Sequence, residues 1–260
     1  MRETPTYNIL GVQINALSTS DFFAILAETI RSTRQCVIAN HNLHSVYLWH
    51  HDEKMRAYYE QAQYVYVDGM ALIWLGKLSG HPLRLEDRPT CAEYMRPVLA
   101  EAAQQGWRVF YLGSKPGVAD RAADIFRREF AGLQLSTAHG YFDVRPSSVE
   151  NRRKIELINS FQPNILFVGM GSPRQERWVF DNIEHLKANV IIAVGGCMDL
   201  FAEEIPNAPR WMGPLLLEWL FRLLSEPRRL WKRYLLEPWF LLAWMLRERI
   251  KRSSHRFRSG

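Results

Sequence analysis

Short apolar runs recur along the chain, each closed by a glycine or a polar cluster and followed by a stretch in which apolar residues return every three or four positions. The clearest case is NILFVGMGSPRQERW (164–178). Residues 165–168 have the length and β-branched content of a buried strand, and Gly169, Met170 and Gly171 break it. Ser172 then stands where a helix N-cap belongs, Pro173 is pre-set for the first helical position, and Gln175 lies three residues after the serine, as a capping box requires. The same grammar predicts further strands at 8–14, 36–39, 64–67, 108–112, 133–137 and 190–194. Helices are expected over 43–50, 70–77, 91–105, 118–130 and 148–161, with another reaching 31 from N-cap candidates at 18–21, and polar loops at 81–90 and 140–147. Strands alternating with helices imply an α/β fold: a mainly parallel, Rossmann-like sheet with helices on both faces. Right-handed crossovers place the strand-end turns along one rim of such a sheet.

After residue 205 the pattern changes. Helical candidates at 214–224 and 230–246 follow one another with no strand between them, so the chain divides into an α/β core (1–205) and a helical appendage (206–260). The appendage holds twelve Lys/Arg against four Glu, a charge of +8, which leaves the core at −2. It also holds five of the nine tryptophans. Charged residues interrupt its apolar runs before they reach the roughly 18 residues a membrane crossing needs, so the expectation is a helix pair lying on an anionic membrane surface. The amino terminus lacks an apolar signal core, which predicts a cytosolic protein. Cys36, Cys91 and Cys197 are far apart and without metal-ligand spacing, so reduced, mostly buried thiols are expected.

The strand-end turns are where chemistry is expected. Gly169 and Gly171, like Gly195 and Gly196 after the last strand, offer backbone N–H groups and a helix start to an anion such as a diphosphate. The spacing spells neither a dinucleotide fingerprint nor a P-loop. Asp68, before Gly69, places a carboxylate at a strand end; from the residues alone it reads as a turn or cap residue before it reads as a base. Asn40 and Asn42 finish another strand as a polar cluster, where such residues also make the first turn of a following helix.

The set VDGMALIW (67–74), GMGSPRQERW (169–178), VGGCMDLFA (194–202), NAPRWM (207–212) and LEWLFRLLSEPRRLWKRYL (217–235) resembles the WecG/TagA/CpsF glycosyltransferases, glycosyltransferase family 26, over nearly the whole chain. That resemblance implies inverting transfer of a sugar from a UDP-sugar to a sugar on a polyprenyl diphosphate, at the cytoplasmic face of the membrane. The family's proposed catalytic base falls on Asp68, and its Thr-x-Asn substrate pair reads Asn40 and Asn42 here. Its acidic-Arg pair and following acid fall on Asp87, Arg88 and Glu93, making Arg88 a candidate to hold the departing diphosphate, or else a surface partner of Glu86 or Glu93. Gln175 matches a substrate-site glutamine, although a capping box would explain it equally well, and Asp199 matches an acid that binds hydroxyls or caps a helix. Arg174 and Arg177 are expected to be solvated, while Arg222, Arg229, Lys232 and Arg233 resemble appendage cations. The resemblance implies no metal and no other cofactor. NHNLHS (40–45), RPTC (88–91) and EPWFLL (237–242) look most like the xanthan-type branch, which favours UDP-glucose as donor over UDP-N-acetylmannosamine. A nucleic-acid-binding module is the rival from another class; it accounts for the basic, Trp-rich tail but not for Asp68 or the glycine turns, so no nucleic-acid partner is expected. Homo-oligomerisation stays open.

Overall fold

A computed structural model of the chain describes residues 4–204, 212 and 217–256, without the side chains of Glu218 and residues 248–256. The chain opens with β1 (Thr6–Ile9) and β2 (Val12–Asn15), followed by α1 (Thr19–Arg31), β3 (Cys36–His41), α2 (Leu43–His51) and α3 (Glu53–Gln61). Then come β4 (Tyr64–Val67), α4 (Met70–Leu78), α5 (Cys91–Gln105), β5 (Arg108–Gly113), α6 (Val118–Glu129) and β6 (Gln134–Ala138). The core closes with α7 (Val149–Phe161), β7 (Ile165–Gly169), α8 (Arg174–Asn182), β8 (Val190–Ala193) and α9 (Cys197–Phe201), and the appendage contributes α10 (Glu218–Ser225), α11 (Pro227–Leu235) and α12 (Glu237–Arg256).

Six strands form one sheet in the order β4-β3-β8-β7-β5-β6, and every pairing in it is parallel. All six carboxyl ends therefore share one rim. Alternation along the strands sends successive side chains to opposite faces. Ile38, Tyr66, Tyr111, Phe167 and Ile192 meet α1, α5 and α6 on one side. Val37, Ala39, Phe110, Leu166, Val168 and Ile191 meet α3, α7 and α8 on the other. A parallel α/β sheet covered on both faces is thus the fold, as the pattern of apolar runs predicts.

Three of the expected elements take a different form. The strand expected at 8–14 is a hairpin, because Leu10 (φ 55) and Gly11 (φ 89) form a two-residue turn with both residues in the left-handed region. The hairpin covers the edge of β4, with Asn15 Oδ1 accepting from the Val65 N–H at 2.7 Å. Helix α8 starts at Arg174, two residues beyond Ser172, and has no side-chain cap, so the expected capping box does not form. The helix expected at 230–246 is two: α11 ends at Leu235, and α12 restarts at Glu237 with Pro238 in its first turn, where proline's missing N–H costs nothing. The start of the expected helix at 214 and most of NAPRWM lie outside the described residues.

The cysteine expectation is also corrected. Cys91 and Cys197, 106 residues apart, are joined as a disulfide with their Cα atoms 6.3 Å apart, because the fold brings the first residues of α5 and α9 together. Cys36 is a buried free thiol, pushed up to about 12 by burial.

The appendage folds back onto the core. Leu241 of α12 is buried in a cluster with Ile9, Val46 and Leu72, and Phe240 and Trp244 pack against the same cluster. Glu237 Oε2 lies 2.7 Å from His44 Nδ1 at the start of α2, tying the appendage to the turn after β3. Trp219, Trp231 and Trp239 are exposed by contrast, at 41%, 43% and 69%.

Candidate active site

The rim collects the turns that the sequence singles out. After β4, Asp68 is tied to the turn after β3 by its own N–H, which donates to His41 O at 2.7 Å. Gly69 follows at φ 140, a conformation that favours glycine, and α4 begins from it without any side-chain cap. Asp68 is therefore not a cap residue. Its half-buried carboxylate makes no hydrogen bond or ion pair among the described residues. A Cβ built on Gly69 would sit 3.6 Å from the Asn42 Cβ, so the turns after β3 and β4 lie side by side.

In the turn after β3 most side-chain groups already have work. Asn40 Nδ2 donates to Ala193 O at 2.8 Å, fixing β3 to the end of β8. Asn42 caps α2, its Oδ1 accepting from the Ser45 N–H at 3.1 Å. His41 is buried, stacked on Tyr59 and hydrogen-bonded with Ser45 Oγ at 3.0 Å. Burial, and secondarily the nearby His50, pushes its pKa down to about 3, so it is a neutral structural imidazole. This has a measurable consequence. Below pH 6.5 the unfolded chain takes up a proton that folded His41 refuses, so stability falls as pH drops from 6.5 toward 3, by roughly 2 kcal/mol at about pH 5. Denaturant unfolding at about pH 5 and pH 7 checks it: His41→Gln should flatten this part of the pH dependence, and an unchanged slope would assign it elsewhere.

Arg88 follows the short 3-10 turn Leu85–Asp87. Its surface-pairing alternatives are both taken: Glu86 pairs with Arg84 at 2.6 Å, and Glu93 Oε2 accepts from the Thr90 N–H at the start of α5. Arg88 itself is half-buried and has no hydrogen bond or ion pair among the described residues. Sequence alone could not tell the Arg88 guanidinium and the Asp68 carboxylate, unpaired among the described residues, from side chains that simply face water.

The glycines after β7 and β8 serve differently from the expectation. Gly169 lies where a Cβ would overlap the Tyr111 hydroxyl and the Gly195 carbonyl, so it is required for packing across the rim. The N–H groups of Gly171 and Gly195 do not face an anion: both donate to Gln175 Oε1, at 3.2 and 3.1 Å. Gly196 sits at the start of α9. Asp199 lies in that helix without capping it; burial raises its pKa, Ser114 hydrogen-bonds its carboxylate, and Lys115 and Arg229 add positive potential nearby. The expectation of a solvated side chain fails for Arg174 and holds for Arg177, which is exposed. Arg174 is half-buried and donates to Gly140 O and Phe142 O, at 3.0 and 2.6 Å, which holds the loop before α7. Arg177 pairs with Asp52 at the start of α3.

Of the expected appendage cations, Arg222 is exposed and Arg229 pairs with Glu226 one turn earlier. Arg233 on α11 is the one that turns inward. Burial holds it below the usual arginine range, Arg222 adds to that effect, and the charges of Tyr234, Asp68 and Glu237 oppose it. The structure thus brings Arg233 within the field of Asp68. In the sequence Arg233 is one basic residue among several, with nothing to separate it from its neighbours. No group of His, Cys, Asp and Glu suited to a metal occurs among the described residues.

At the carboxyl rim of this parallel sheet the Asp68 carboxylate stands unpaired among the described residues with the inward-turned Arg233 in its field, and Arg88 stands unpaired three residues before Cys91, which the disulfide joins to the start of α9. Comparison with known proteins identifies the family: residues 7–255 match the glycosyl transferase WecG/TagA/CpsF family, and the chain belongs to that family. Among its relatives is an N-acetylglucosaminyldiphosphoundecaprenol N-acetyl-beta-D-mannosaminyltransferase of Bacillus spizizenii strain W23, 28% identical over 203 residues, covering 78% of this chain and 76% of that protein. A protein of the same name from Staphylococcus aureus strain MW2 is 30% identical over 173 residues, 66% of this chain and 64% of its own length. Both are named for N-acetylmannosamine transfer, the donor that the sequence reading placed second to glucose.

Proposed function

We propose that this protein transfers N-acetylmannosamine, with inversion, from its UDP-sugar to N-acetylglucosamine carried on a polyprenyl diphosphate. The relatives' activity supports the donor and acceptor. The observation that carries the mechanism is the carboxylate of Asp68, half-buried at the rim yet unpartnered among the described residues. In one step the acceptor hydroxyl oxygen bonds to the anomeric carbon, the bond from that carbon to the β-phosphate oxygen breaks, Asp68 takes the hydroxyl proton, and UDP departs with the bonding electrons. Arg88, with Arg233 as the appendage contribution, meets the charge that develops on the diphosphate. The proposal assigns this charge to arginines and to no metal, so a chelator should leave the rate unchanged.

A panel of UDP-sugars offered with a short-chain polyprenyl diphosphate N-acetylglucosamine tests the reading. The expected product is the N-acetylmannosaminyl conjugate; a glucosyl conjugate formed on a glucosyl acceptor instead would return the chain to the xanthan-type reading.

The acceptor's polyprenyl chain places the reaction at a membrane, and the appendage is the proposed contact, at the cytoplasmic face. No helix among the described residues is long and apolar enough to cross a membrane. Exposed Trp219, Trp231 and Trp239, with Leu224, Leu235 and Leu236 beside Arg228 and Lys232, instead suit an interfacial position on anionic lipid. Vesicles containing anionic lipid should sediment the protein in a salt-sensitive manner, while single-stranded oligonucleotides should not bind; the reverse would favour a nucleic-acid module.

A further inference from the structure

Gln175 and Glu176 lie on the first turn of α8, both buried, at 4% exposure each. Every heteroatom of the Gln175 amide has a partner within the protein. Its Oε1 accepts from Gly171 N–H, in the turn after β7, and from Gly195 N–H, in the turn after β8. Its Nε2 donates to Glu176 Oε1 at 2.9 Å. One side chain therefore joins two strand-end turns whose N–H groups at Gly171 and Gly195 make no hydrogen bond to each other's turn among the described residues.

The orientation of that amide is not self-determined. Oxygen and nitrogen ends are nearly the same size, so neighbours decide which way it points. Turned over, its NH2 would face two N–H donors and its oxygen would face a carboxyl oxygen, leaving three polar groups opposed in and beside a buried site. Glu176 Oε1 is the acceptor that selects the correct orientation. It can do so ionised or protonated on its other oxygen, and burial raises its pKa toward the protonated form.

We infer that Glu176 is a positioning residue that locks the Gln175 amide, and that Gln175 in turn sets the spacing of the Gly171 and Gly195 turns around the donor diphosphate, acting through the backbone and not as a substrate ligand. This rests on the reaction proposed above for its kinetic consequence, but the lock itself is independent of which sugar is moved. Nothing in the sequence pointed to Glu176, because its partner is its immediate neighbour and that neighbour's partners lie on two other segments.

Reversing donor and acceptor across the pair tests the inference in the full-length protein. At about pH 8, Gln175→Glu sets two carboxyl groups against each other; its donor KM should rise at least tenfold with acceptor KM little changed, and its thermal midpoint should fall. Adding Glu176→Gln restores one donor facing one acceptor, so the double variant should recover most of the donor KM and most of the thermal midpoint. Amide hydrogen exchange at Gly171 and Gly195 should quicken in the single variant and slow again in the double. A double variant as impaired as Gln175→Glu in all three readouts would overturn the lock. Recovery of midpoint and exchange without recovery of donor KM would also overturn the positioning role, placing the Gln175 amide on the substrate. Absence of sugar transfer by the unmodified protein would sink the proposed reaction, while midpoint and exchange would still decide the lock.

Discussion

Asp68→Asn is expected to reduce transfer by two or more orders of magnitude while leaving the folded protein intact, the loss typical of removing a positioned general base. The stability half of this expectation follows from geometry. The Asp68 side chain has no hydrogen-bond or ion-pair partner among the described residues, so the amide breaks no contact that holds the turn. The turn is fixed by backbone features instead: the Asp68 N–H on His41 O, and Gly69 at φ 140. The activity half follows from chemistry, since an amide has the shape of the carboxylate but cannot take the acceptor proton. Single-turnover kinetics with saturating donor, beside a thermal melt, separates the two. Turnover near that of the unmodified protein, in a variant that melts normally, would remove Asp68 from the role of base.

What could be read ahead from sequence was local. Runs such as 64–67 and 165–168 declare themselves as buried strands because apolar content and a glycine break occur within a few residues of each other, and the resulting α/β alternation fixes which ends share a rim. What could not be read depends on partners remote in the chain. Arg174 looks like any surface arginine until the fold brings the carbonyls of Gly140 and Phe142 to it. Cys91 meets Cys197 only after the sheet is assembled. Gln175 fitted a capping box by spacing, yet its oxygen spans two turns twenty residues or more apart in their furthest reach. The hairpin is legible in sequence, since Gly11 sits inside an apolar run, where an isolated glycine signals a break. Within the appendage, a basic helix gives no sequence signal for which cation turns inward, and only packing selects Arg233 over Arg222 and Arg229.

For Arg88→Ala the expected result is a fall in kcat of about a hundredfold or more at saturating donor, the scale seen when one group that stabilises transition-state charge is removed. In the free protein Arg88 makes no ion pair among the described residues. A guanidinium already paired with Glu86 or Glu93 would have to break that pair before meeting phosphate, and its removal would mostly disturb the surface. Those carboxylates are engaged elsewhere, with Arg84 and with the Thr90 N–H, and Arg88 is left unpaired among the described residues beside the buried Pro89. Its interaction with diphosphate should strengthen as the leaving group gains charge, which places the loss in kcat more than in KM. Arg88→Lys keeps the charge but not the two-pronged geometry, so it should recover only part of the rate. If Arg88→Ala raised donor KM alone and left kcat unchanged, Arg88 would bind the ground-state donor without assisting departure, and the charge on the leaving diphosphate would have to be met from the appendage, by Arg233.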